Sequence, residues 1–398
     1  MDVNLHRSTS PSPAHGAQNT GVSELVLRNF LSACQGRETA VNRSALTAEN
    51  NRDEGFEMRR TVFENRKVVQ IETKWIRVSV TEEGGHIAEI LNKHSGVNPL
   101  WIPPWRSVEP SVWSPVKMPE FGSGPDAKLL AGIIGHSLCL DLFGPPSADE
   151  ETAGVRTHGE AGIVPWEFES CPAGLIARCI MPLSQLTCER VITLAGKTMR
   201  VRESVENLSI YDRPIAWTQH VTLGPPFIEC GRTAFHVNAS KWCAIGADGY
   251  QQTGCVEDHA GGCLWEILNN ASSCGGYRAF LMDEHQADSY FISWSPVLET
   301  ALAYSWKRID FPWLGIWDES YFRQYAPWNG RVLARGLEFG VSPFPVPRRE
   351  MIERGHLLNT PTFRWIPAKG RLITEYDACV IETKCMPASL SDFDLLRD

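Results

Sequence analysis

The chain has 398 residues, of which 43% are hydrophobic and 21% charged, proportions typical of a globular protein with a sizeable core. Its formal net charge is -9 and it contains no block of lysines or arginines, which disfavours a nucleic-acid partner. No run of about 18 apolar residues occurs, so we expect no membrane span.

Residues 1–55 differ in composition from the rest of the chain, with few aromatic residues and many Ser, Asn, Ala and Thr. The stretch from Ser23 to Cys34 predicts one short amphipathic helix, with Ser23 as its N-cap. The remainder of this segment predicts a flexible extension, because it is too polar to bury a core of its own. We therefore divide the chain into an extension, residues 1–55, and one folded domain, residues 56–398.

From Phe56 onward the pattern changes to short strands separated by turn residues. The stretch KVVQIETKWIRVSVTEEGGHIAEIL alternates apolar and polar positions, and Gly84 and Gly85 mark a break between two strands. Similar strands follow as far as GRLITEYDACVIET, whereas long helical periodicity and internal repeats are missing. Many strands at regular spacing, with Gly and Pro between them, predict an all-β fold built as a sandwich or a barrel.

The strand RVLARGLEFGVSP carries a glutamate in an otherwise apolar setting. Side chains alternate between the two faces of a strand, so the nearest neighbours of Glu338 on its own face are Gly336 and Gly340. A glycine inside a strand often marks a place where a ligand or another backbone comes close. Two readings are open at this point: Glu338 faces a ligand, or it forms an ion pair with Arg331 or Arg335.

Two histidines lie in comparable settings. In PIAWTQHVTLGPP, His220 shares a strand face with small and hydroxylated residues such as Thr218 and Thr222, which leaves room around the imidazole. In VRTHGEAG, His158 precedes Gly159 in a loop, a type of position that often contacts ligands. Each histidine taken singly is equally compatible with a hydrogen-bonded residue that has no function.

The numbers of cysteine and tryptophan residues give information on the cellular compartment of the protein and on the type of ligand it could bind. The 12 cysteines are scattered and form no C-x-x-C pair, which favours reduced, mostly buried thiols in a cytoplasmic protein. The 14 tryptophans suit either a core or a platform on which a flat ligand stacks.

The order of these motifs resembles that of the galactose mutarotase-like superfamily, which contains the aldose 1-epimerases and their glucose-6-phosphate 1-epimerase relatives. The resemblance covers residues from about 60 to 380 and rests on five stretches: GGHIAEILNKHSGVNPLW, GHSLCLDLFGPP, THGEAG, WTQHVTLGPP and RGLEFGVSP. The family carries its acid histidine where this chain has His220, and its base glutamate where this chain has Glu338. The resemblance implies a large antiparallel β-sandwich, the mutarotase-like supersandwich.

The implied activity is the interconversion of sugar anomers by general acid/base ring opening and closure. Such a reaction needs one acid and one base on a sugar ring and no cofactor or metal. With both groups straddling one ring, we expect their functional atoms roughly 5–9 Å apart. The expected ligand is a small-molecule sugar and the expected assembly a monomer or homodimer. Expected sugar-contacting residues are His158, Asp318, Trp313, Trp317, Gly336 and Gly340.

The chain departs from the family pattern after its His-Gly pair. The arginine that follows there in the family is missing, because position 160 is Glu and position 162 is Gly, and this disfavours a phosphorylated sugar. Two other functions remain open on the same fold: a non-catalytic carbohydrate-binding protein, and a carbohydrate lyase or hydrolase. A hydrolase would present two carboxylates to the scissile bond. Only Glu338 has a suitable setting in the sequence.

Overall fold

The computed structural model describes residues 57–245, 251–255 and 274–397. In these ranges the chain forms two large antiparallel sheets that share one hydrophobic core, so the predicted all-β sandwich is confirmed. The predicted extension, residues 1–55, and the predicted helix from Ser23 to Cys34 lie outside the described residues.

The larger sheet has 12 strands among the described residues and carries the predicted site. Its strands follow the order β1-β2-β3-β4-β5-β10-β18-β17-β14-β12-β13, and β21 pairs separately with β10. Their bounds are β1 Arg59–Phe63, β2 Arg66–Glu72, β3 Ile76–Thr81, β4 Ile87–Asn92, β5 His136–Asp141, β10 Arg213–Leu223, β12 Ala239–Ile245, β13 Gln251–Cys255, β14 Cys274–Met282, β17 Trp313–Ser320, β18 Leu333–Gly340 and β21 Arg364–Ile366.

The smaller sheet has eight strands in the described ranges, in the order β11-β15-β16-β22-β9-β8-β7-β6. Their bounds are β6 Glu167–Cys171, β7 Gly174–Met181, β8 Leu186–Ala195, β9 Thr198–Asn207, β11 Ala234–Val237, β15 Asp288–Ser295, β16 Thr300–Lys307 and β22 Arg371–Glu382. A small hairpin pairs β19 His356–Leu357 with β20 Thr360–Pro361. The helices described are short: a 3-10 turn at Pro119–Phe121 and α-helices at Ala127–Gly132, Ala148–Thr152, Arg348–Arg354 and Leu390–Arg397.

The predicted break at Gly84 and Gly85 is confirmed. Both glycines adopt positive φ angles, 81° and 57°, in the turn between β3 and β4. L-residues with a Cβ rarely take this conformation, so glycine is the residue that suits the turn. The same stretch also contains a second break, between β2 and β3, and therefore forms three strands.

The alternation of side chains decides which residues form the core. On β10, Trp217 and Val221 join the core between the sheets, and on β18 Leu337 and Phe339 do the same. The residues that alternate with these core residues along each strand, His220 among them, therefore lie on the outer face of the larger sheet, away from the second sheet. The site described below is built on this outer face.

Two further expectations concern membranes and thiols. In the part of the chain that the structure describes, no helix is both long and apolar enough to cross a bilayer. Eight cysteines of the described ranges are free thiols: Cys139, Cys171, Cys179, Cys188, Cys230, Cys243, Cys255 and Cys385. Four of these are buried: Cys139, Cys179, Cys188 and Cys243.

Candidate active site

The centre of the site is a contact between the two residues that the motifs singled out. Strands β10 and β18 pair so that His220 lies directly opposite Glu338. The His220 Nε2 and Glu338 Oε1 atoms are 2.9 Å apart, and the two side chains are 8% and 3% exposed. The other imidazole nitrogen, Nδ1, lies 3.0 Å from the hydroxyl oxygen of Thr222. A carboxylate and an imidazole therefore form a nearly buried pair with a defined orientation.

The contact with Glu338 changes the pKa of His220. Burial lowers the pKa of His220, but the negative charge of Glu338 and its hydrogen bond outweigh burial, and the net pKa is raised above the usual value. The raised pKa favours the imidazolium form, which donates from Nε2 to the Glu338 carboxylate. An acid and a base thus occur side by side in one site.

The contact corrects the expected separation of roughly 5–9 Å between acid and base. The observed distance is 2.9 Å, because the two residues lie directly opposite each other on paired strands and buried opposite charges pair with each other. A ring that is to accept a proton from His220 and give one to Glu338 must open this contact.

The ion pair of Glu338 with Arg335, one of the two open readings, does not form. Arg335 lies on the opposite face of β18 and binds Asp318, with Nε–Oδ1 and Nη2–Oδ2 distances of 2.7 and 3.1 Å. Asp318 is 3% exposed and its two carboxylate oxygens face this arginine. The expectation that Asp318 grips sugar hydroxyls is therefore wrong: the side chain lies on the core side of the sheet.

His158 reaches the site through the docking of its loop on β5. The Gly159 backbone bridges to Leu140, and a Cβ added at Gly159 would lie 2.1 Å from the Leu140 carbonyl oxygen. Leu140 also donates its N–H to the His158 carbonyl oxygen, at 3.2 Å. Since β5 neighbours β10, this docking sets the His158 ring 5.4 Å from the His220 ring, centroid to centroid.

His158 and His220 differ in protonation. Burial and the charge of His220 lower the pKa of His158 to about 3, so this imidazole is neutral at neutral pH. Its Nδ1 donates a hydrogen bond to the Phe143 carbonyl oxygen at 2.5 Å, which fixes the tautomer. Its Nε2 consequently carries a lone pair and can accept a hydrogen bond from a hydroxyl.

Aromatic side chains border the pair on the side of β17 and β14. The Trp317 ring lies 6.2 Å from the His220 ring and is half-buried, as the stacking role predicted for it requires. Tyr277 is the cross-strand partner of Trp317, and its hydroxyl donates to the Pro343 carbonyl oxygen at 2.9 Å. Trp313, by contrast, is 0% exposed in a separate apolar cluster, so its expected stacking on sugar is wrong.

The two glycines that flank Glu338 serve different purposes. A Cβ added at Gly336 would lie 2.4 Å from Glu338 Oε1, so the absence of a side chain lets the carboxylate fold over this residue. A Cβ added at Gly340 would lie 2.4 Å from Thr218 Oγ1 and 2.7 Å from the Trp217 carbonyl oxygen. Gly340 therefore permits close packing against β10, and its place in a sugar-facing floor stays a prediction.

Glu160 follows the His158–Gly159 pair, after which the family pattern has an arginine. Here its carboxylate binds groups of the protein itself. Its carboxylate accepts hydrogen bonds from the backbone N–H groups of Leu183 and Ser184 and from the Ser184 hydroxyl, at 3.2, 2.7 and 2.8 Å. Glu160 is 5% exposed and holds a turn of the neighbouring segment in place.

Tyr277, Thr222 and Gly315 also form the site, although none was among the predicted site residues. Gly315 pairs with Glu338 across β17 and β18, and a Cβ there would lie 2.0 Å from the Tyr277 hydroxyl. The glycine in GIWDES was a possible signal, but its register against Glu338 depends on strand pairing that local patterns do not encode.

Metal ligands are a separate question. Across residues 57–245, 251–255 and 274–397, no group of three or more His, Cys, Asp and Glu side chains is placed to hold a metal ion.

Comparison with known proteins bears on the fold. No protein-family model and no curated protein sequence matches the chain. Among solved structures, a candidate aldose 1-epimerase from Klebsiella pneumoniae subsp. pneumoniae is similar, with a TM-score of 0.61 at 13% identity over 87% of each chain. A galactose mutarotase-like protein from Clostridium acetobutylicum has a TM-score of 0.59 at 12% identity, over 83% of this chain and 99% of that chain.

A third similar structure is the galactose mutarotase related enzyme from Lactobacillus acidophilus. Its TM-score is 0.53 at 11% identity, over 80% of this chain and 99% of that chain. Identities this low establish the fold and leave the activity to be argued from the residues of the site. The chain therefore has the galactose mutarotase-like β-sandwich fold that its motif order predicted.

Proposed function

We propose that the protein is a carbohydrate-active isomerase of the aldose 1-epimerase type, which interconverts the α and β anomers of a sugar with a free C1 hydroxyl. The observation that carries this proposal is the contact between the His220 imidazolium and the Glu338 carboxylate on the outer face of the larger sheet. Anomer interconversion needs one proton donor and one proton acceptor that reach a single ring.

The reaction follows from the protonation states of the pair. The Glu338 carboxylate takes the proton of the C1 hydroxyl while His220 Nε2 donates its proton to the ring oxygen, and the bond between C1 and the ring oxygen breaks. The C1 aldehyde rotates about the C1–C2 bond. Ring closure then reverses both proton transfers and delivers the other anomer, so no atom or electron is gained or lost.

His158 and Trp317 would hold the sugar in place. The free lone pair of His158 Nε2 accepts a hydrogen bond from a sugar hydroxyl, because its Nδ1–H is already donated to the Phe143 carbonyl. Trp317 offers a half-buried ring beside His220, on which the apolar face of a pyranose can stack. Neither residue needs to exchange a proton with the substrate.

A hydrolase is less well supported, because the Glu319 carboxylate, on the same face of β17 as Trp317, is engaged elsewhere. Glu319 lies two residues beyond Trp317, and its Oε1 accepts hydrogen bonds from the backbone N–H groups of Phe322 and Arg323, at 2.7 and 2.9 Å. It is 1% exposed. Hydrolysis of a glycosidic bond would usually require both carboxylates to face the substrate.

The decisive experiment is exchange spectroscopy by NMR on free aldoses such as glucose and galactose, with wild-type protein and with Glu338→Gln. We expect wild-type protein to accelerate anomer exchange, and Glu338→Gln to reduce the rate by about 10²–10⁴-fold, the usual contribution of one positioned proton-transfer group. Sugar affinity should change little, because glutamine keeps the shape of the side chain.

The control variant is Glu353→Gln, which removes an exposed carboxylate that pairs with Arg349 on a helix. It should leave the exchange rate at the wild-type value. Sugar binding by wild-type protein without faster exchange would contradict the proposal and identify a carbohydrate-binding protein instead.

A further inference from the structure

His220 lies between two threonines on its own strand face. In the stretch TQHVT, Thr218 and Thr222 are each two positions from His220, so all three side chains lie on the outer face of β10. Both threonines are buried, with exposed fractions of 0% and 1%. They are therefore matched in residue type, strand face and burial, and they differ in their contacts.

Of the two hydroxyls, that of Thr222 contacts the imidazole. Its Oγ1 atom lies 3.0 Å from His220 Nδ1. The Thr218 hydroxyl has no hydrogen-bond partner among the described residues, and it lies over Gly340, where an added Cβ would be 2.4 Å from Thr218 Oγ1. The hydrogen bond to His220 is thus specific to Thr222.

Neighbouring segments hold Thr222 in place. Its backbone N–H donates to the Gly135 carbonyl oxygen at 3.2 Å, and its carbonyl oxygen accepts from the Trp101 N–H at 2.8 Å. Its partner across β18 is Gly336, which has no side chain to displace the hydroxyl. A threonine side chain is also stiff about χ1, because its Cβ carries two heavy atoms. The hydroxyl therefore has a defined position beside Nδ1.

The two ring nitrogens of His220 consequently have different partners. Nε2 lies 2.9 Å from the Glu338 carboxylate, whereas Nδ1 lies against the Thr222 hydroxyl. In the imidazolium form both nitrogens carry a proton, so Nδ1–H donates and the hydroxyl oxygen accepts. Without the hydroxyl this donor would be unpaired in a buried setting, which disfavours the charged ring.

We propose that Thr222 is the positioning residue of the acid: it accepts the hydrogen bond of Nδ1–H and so makes Nε2 the nitrogen that exchanges its proton with the sugar. When the Nε2–H bond breaks and an O–H bond forms at the ring oxygen, the proton on Nδ1 stays in its bond to Thr222. The lone pair left on Nε2 takes the proton back during ring closure. This inference rests on the proposed function and goes beyond it, since Thr222 acts through His220 without touching the sugar.

The test compares Thr222→Val, which keeps the shape of the side chain without its hydroxyl, with Thr222→Ser, which keeps the hydroxyl. NMR exchange spectroscopy with glucose and galactose as probes gives kcat and KM for each variant. We expect Thr222→Val to lower kcat about 10–100-fold with little change of KM, the factor that corresponds to one hydrogen bond to a charged group. Thr222→Ser should recover most of the wild-type rate.

The matched control is Thr218→Val, the same substitution two positions from His220 on its other side. The Thr218 hydroxyl has no hydrogen-bond partner in the described part of the chain, so its loss should leave kcat and KM at the wild-type values. Thermal unfolding checks that each variant folds. Thr222→Ala, which also lacks the hydroxyl, replaces the valine variant if that variant does not fold.

A second readout needs no turnover. In an NMR pH titration of isotope-labelled histidines, the pKa of His220 should be lower in Thr222→Val than in wild-type protein by about one pH unit, because the imidazolium loses its acceptor. The pKa should stay at the wild-type value in Thr222→Ser and in Thr218→Val.

The charges beside His220 are the same in all of these variants. Among the described residues, the titratable side chains that face its ring are Glu338 on β18 and His158 on the loop that docks on β5. Ser137, directly opposite on β5, and Trp317 on β17 carry no charge. A lower pKa would therefore report the loss of the hydroxyl.

The outcomes separate this inference from the proposed function. A kcat and a His220 pKa in Thr222→Val that equal the wild-type values would overturn the role of Thr222 and leave the epimerase intact. A lower His220 pKa in this variant, with no exchange of any sugar by wild-type protein, would support the hydrogen bond and contradict the epimerase. A raised KM with unchanged kcat would also overturn the inference, because Thr222 would then contact the sugar itself.

Discussion

At the scale of single residues, two neighbouring histidines differ in charge because their partners differ. His220 faces the Glu338 carboxylate, which raises its pKa in spite of burial. His158 faces a backbone carbonyl and the positive charge of His220, and burial together with that charge lowers its pKa to about 3. Proximity alone does not decide protonation, since the ring centroids of the two residues are only 5.4 Å apart.

This difference predicts a specific titration. In an NMR pH titration, His220 should lose its proton above pH 6.5, and His158 should remain neutral down to about pH 3. The rate of anomer exchange should fall as the pH rises through the pKa of His220, because the proton donor is lost. Titration of both imidazoles near pH 6.5 would contradict the ion pair.

The same shifts act on stability, with opposite signs. The raised pKa of His220 adds stability that is complete below pH 6.5 and is lost as the pH rises through the folded-state value. The lowered pKa of His158 means that the unfolded chain binds more protons between about pH 3 and 6.5, so stability rises with pH in that window.

The glycine beside the carboxylate gives a second prediction. Gly336→Ala would set a Cβ 2.4 Å from Glu338 Oε1 and displace the carboxylate from His220, so we expect at least a tenfold loss of exchange rate. Gly340→Ala would instead press on Thr218 and on the Trp217 backbone, and should reduce the free energy of unfolding by about 1–3 kcal/mol. Exchange rates and urea unfolding of both variants check this contrast.

At the scale of elements, the site depends on three that are distant in sequence: β10, β18 and the loop that docks on β5. The strand pairing sets His220 against Glu338, and the docked loop adds His158. The backbone of Gly159 makes this docking possible, because it has a φ of 77° and lies against Leu140 with no room for a Cβ.

We therefore expect Gly159→Ala to lower both stability and exchange rate. The close approach to the Leu140 carbonyl and the positive φ together should cost about 2–4 kcal/mol of unfolding free energy. The matched control is Gly196→Ala, which also has a positive φ (59°) but no atom within 4 Å of the added Cβ. Denaturant unfolding should show the smaller loss, about 1–2 kcal/mol, for the control. Equal losses would show that the contact with Leu140 is unimportant.

At the scale of the whole molecule, the larger sheet separates two environments. One face packs with the smaller sheet into the main core, which includes Trp217 and Phe339, while the other carries the polar pair. A buried ion pair is costly to form, so its retention on the face away from the main core is consistent with a function other than stability.

The N-terminal extension gives a prediction at this scale. Its composition, poor in aromatic residues, predicts that residues 1–55 are dispensable for folding. A truncation that begins at Phe56 should keep the wild-type melting temperature and exchange rate, and limited proteolysis should cut first within the extension. A truncated protein that does not fold would show that the extension completes the sandwich.

The sequence alone determined the fold class and the faces on which Glu338 and His220 lie, because strand alternation is a property of the local backbone. It also singled out His158 and Trp317 as candidate sugar-contacting residues, and both rings lie beside His220. The same reasoning failed at Trp313 and Asp318, where the neighbours of the side chain decide its role.

Which groups are in contact depends on the pairing of strands that are far apart in the chain. The register of β10 against β18 gives the 2.9 Å contact, and the register of β17 against β18 gives Asp318 its arginine partner. Tyr277 likewise enters the site because its strand pairs it with Trp317, a residue far from it in the sequence. Strand pairing between distant segments is selected by the packing of the whole sandwich, and no local pattern encodes it.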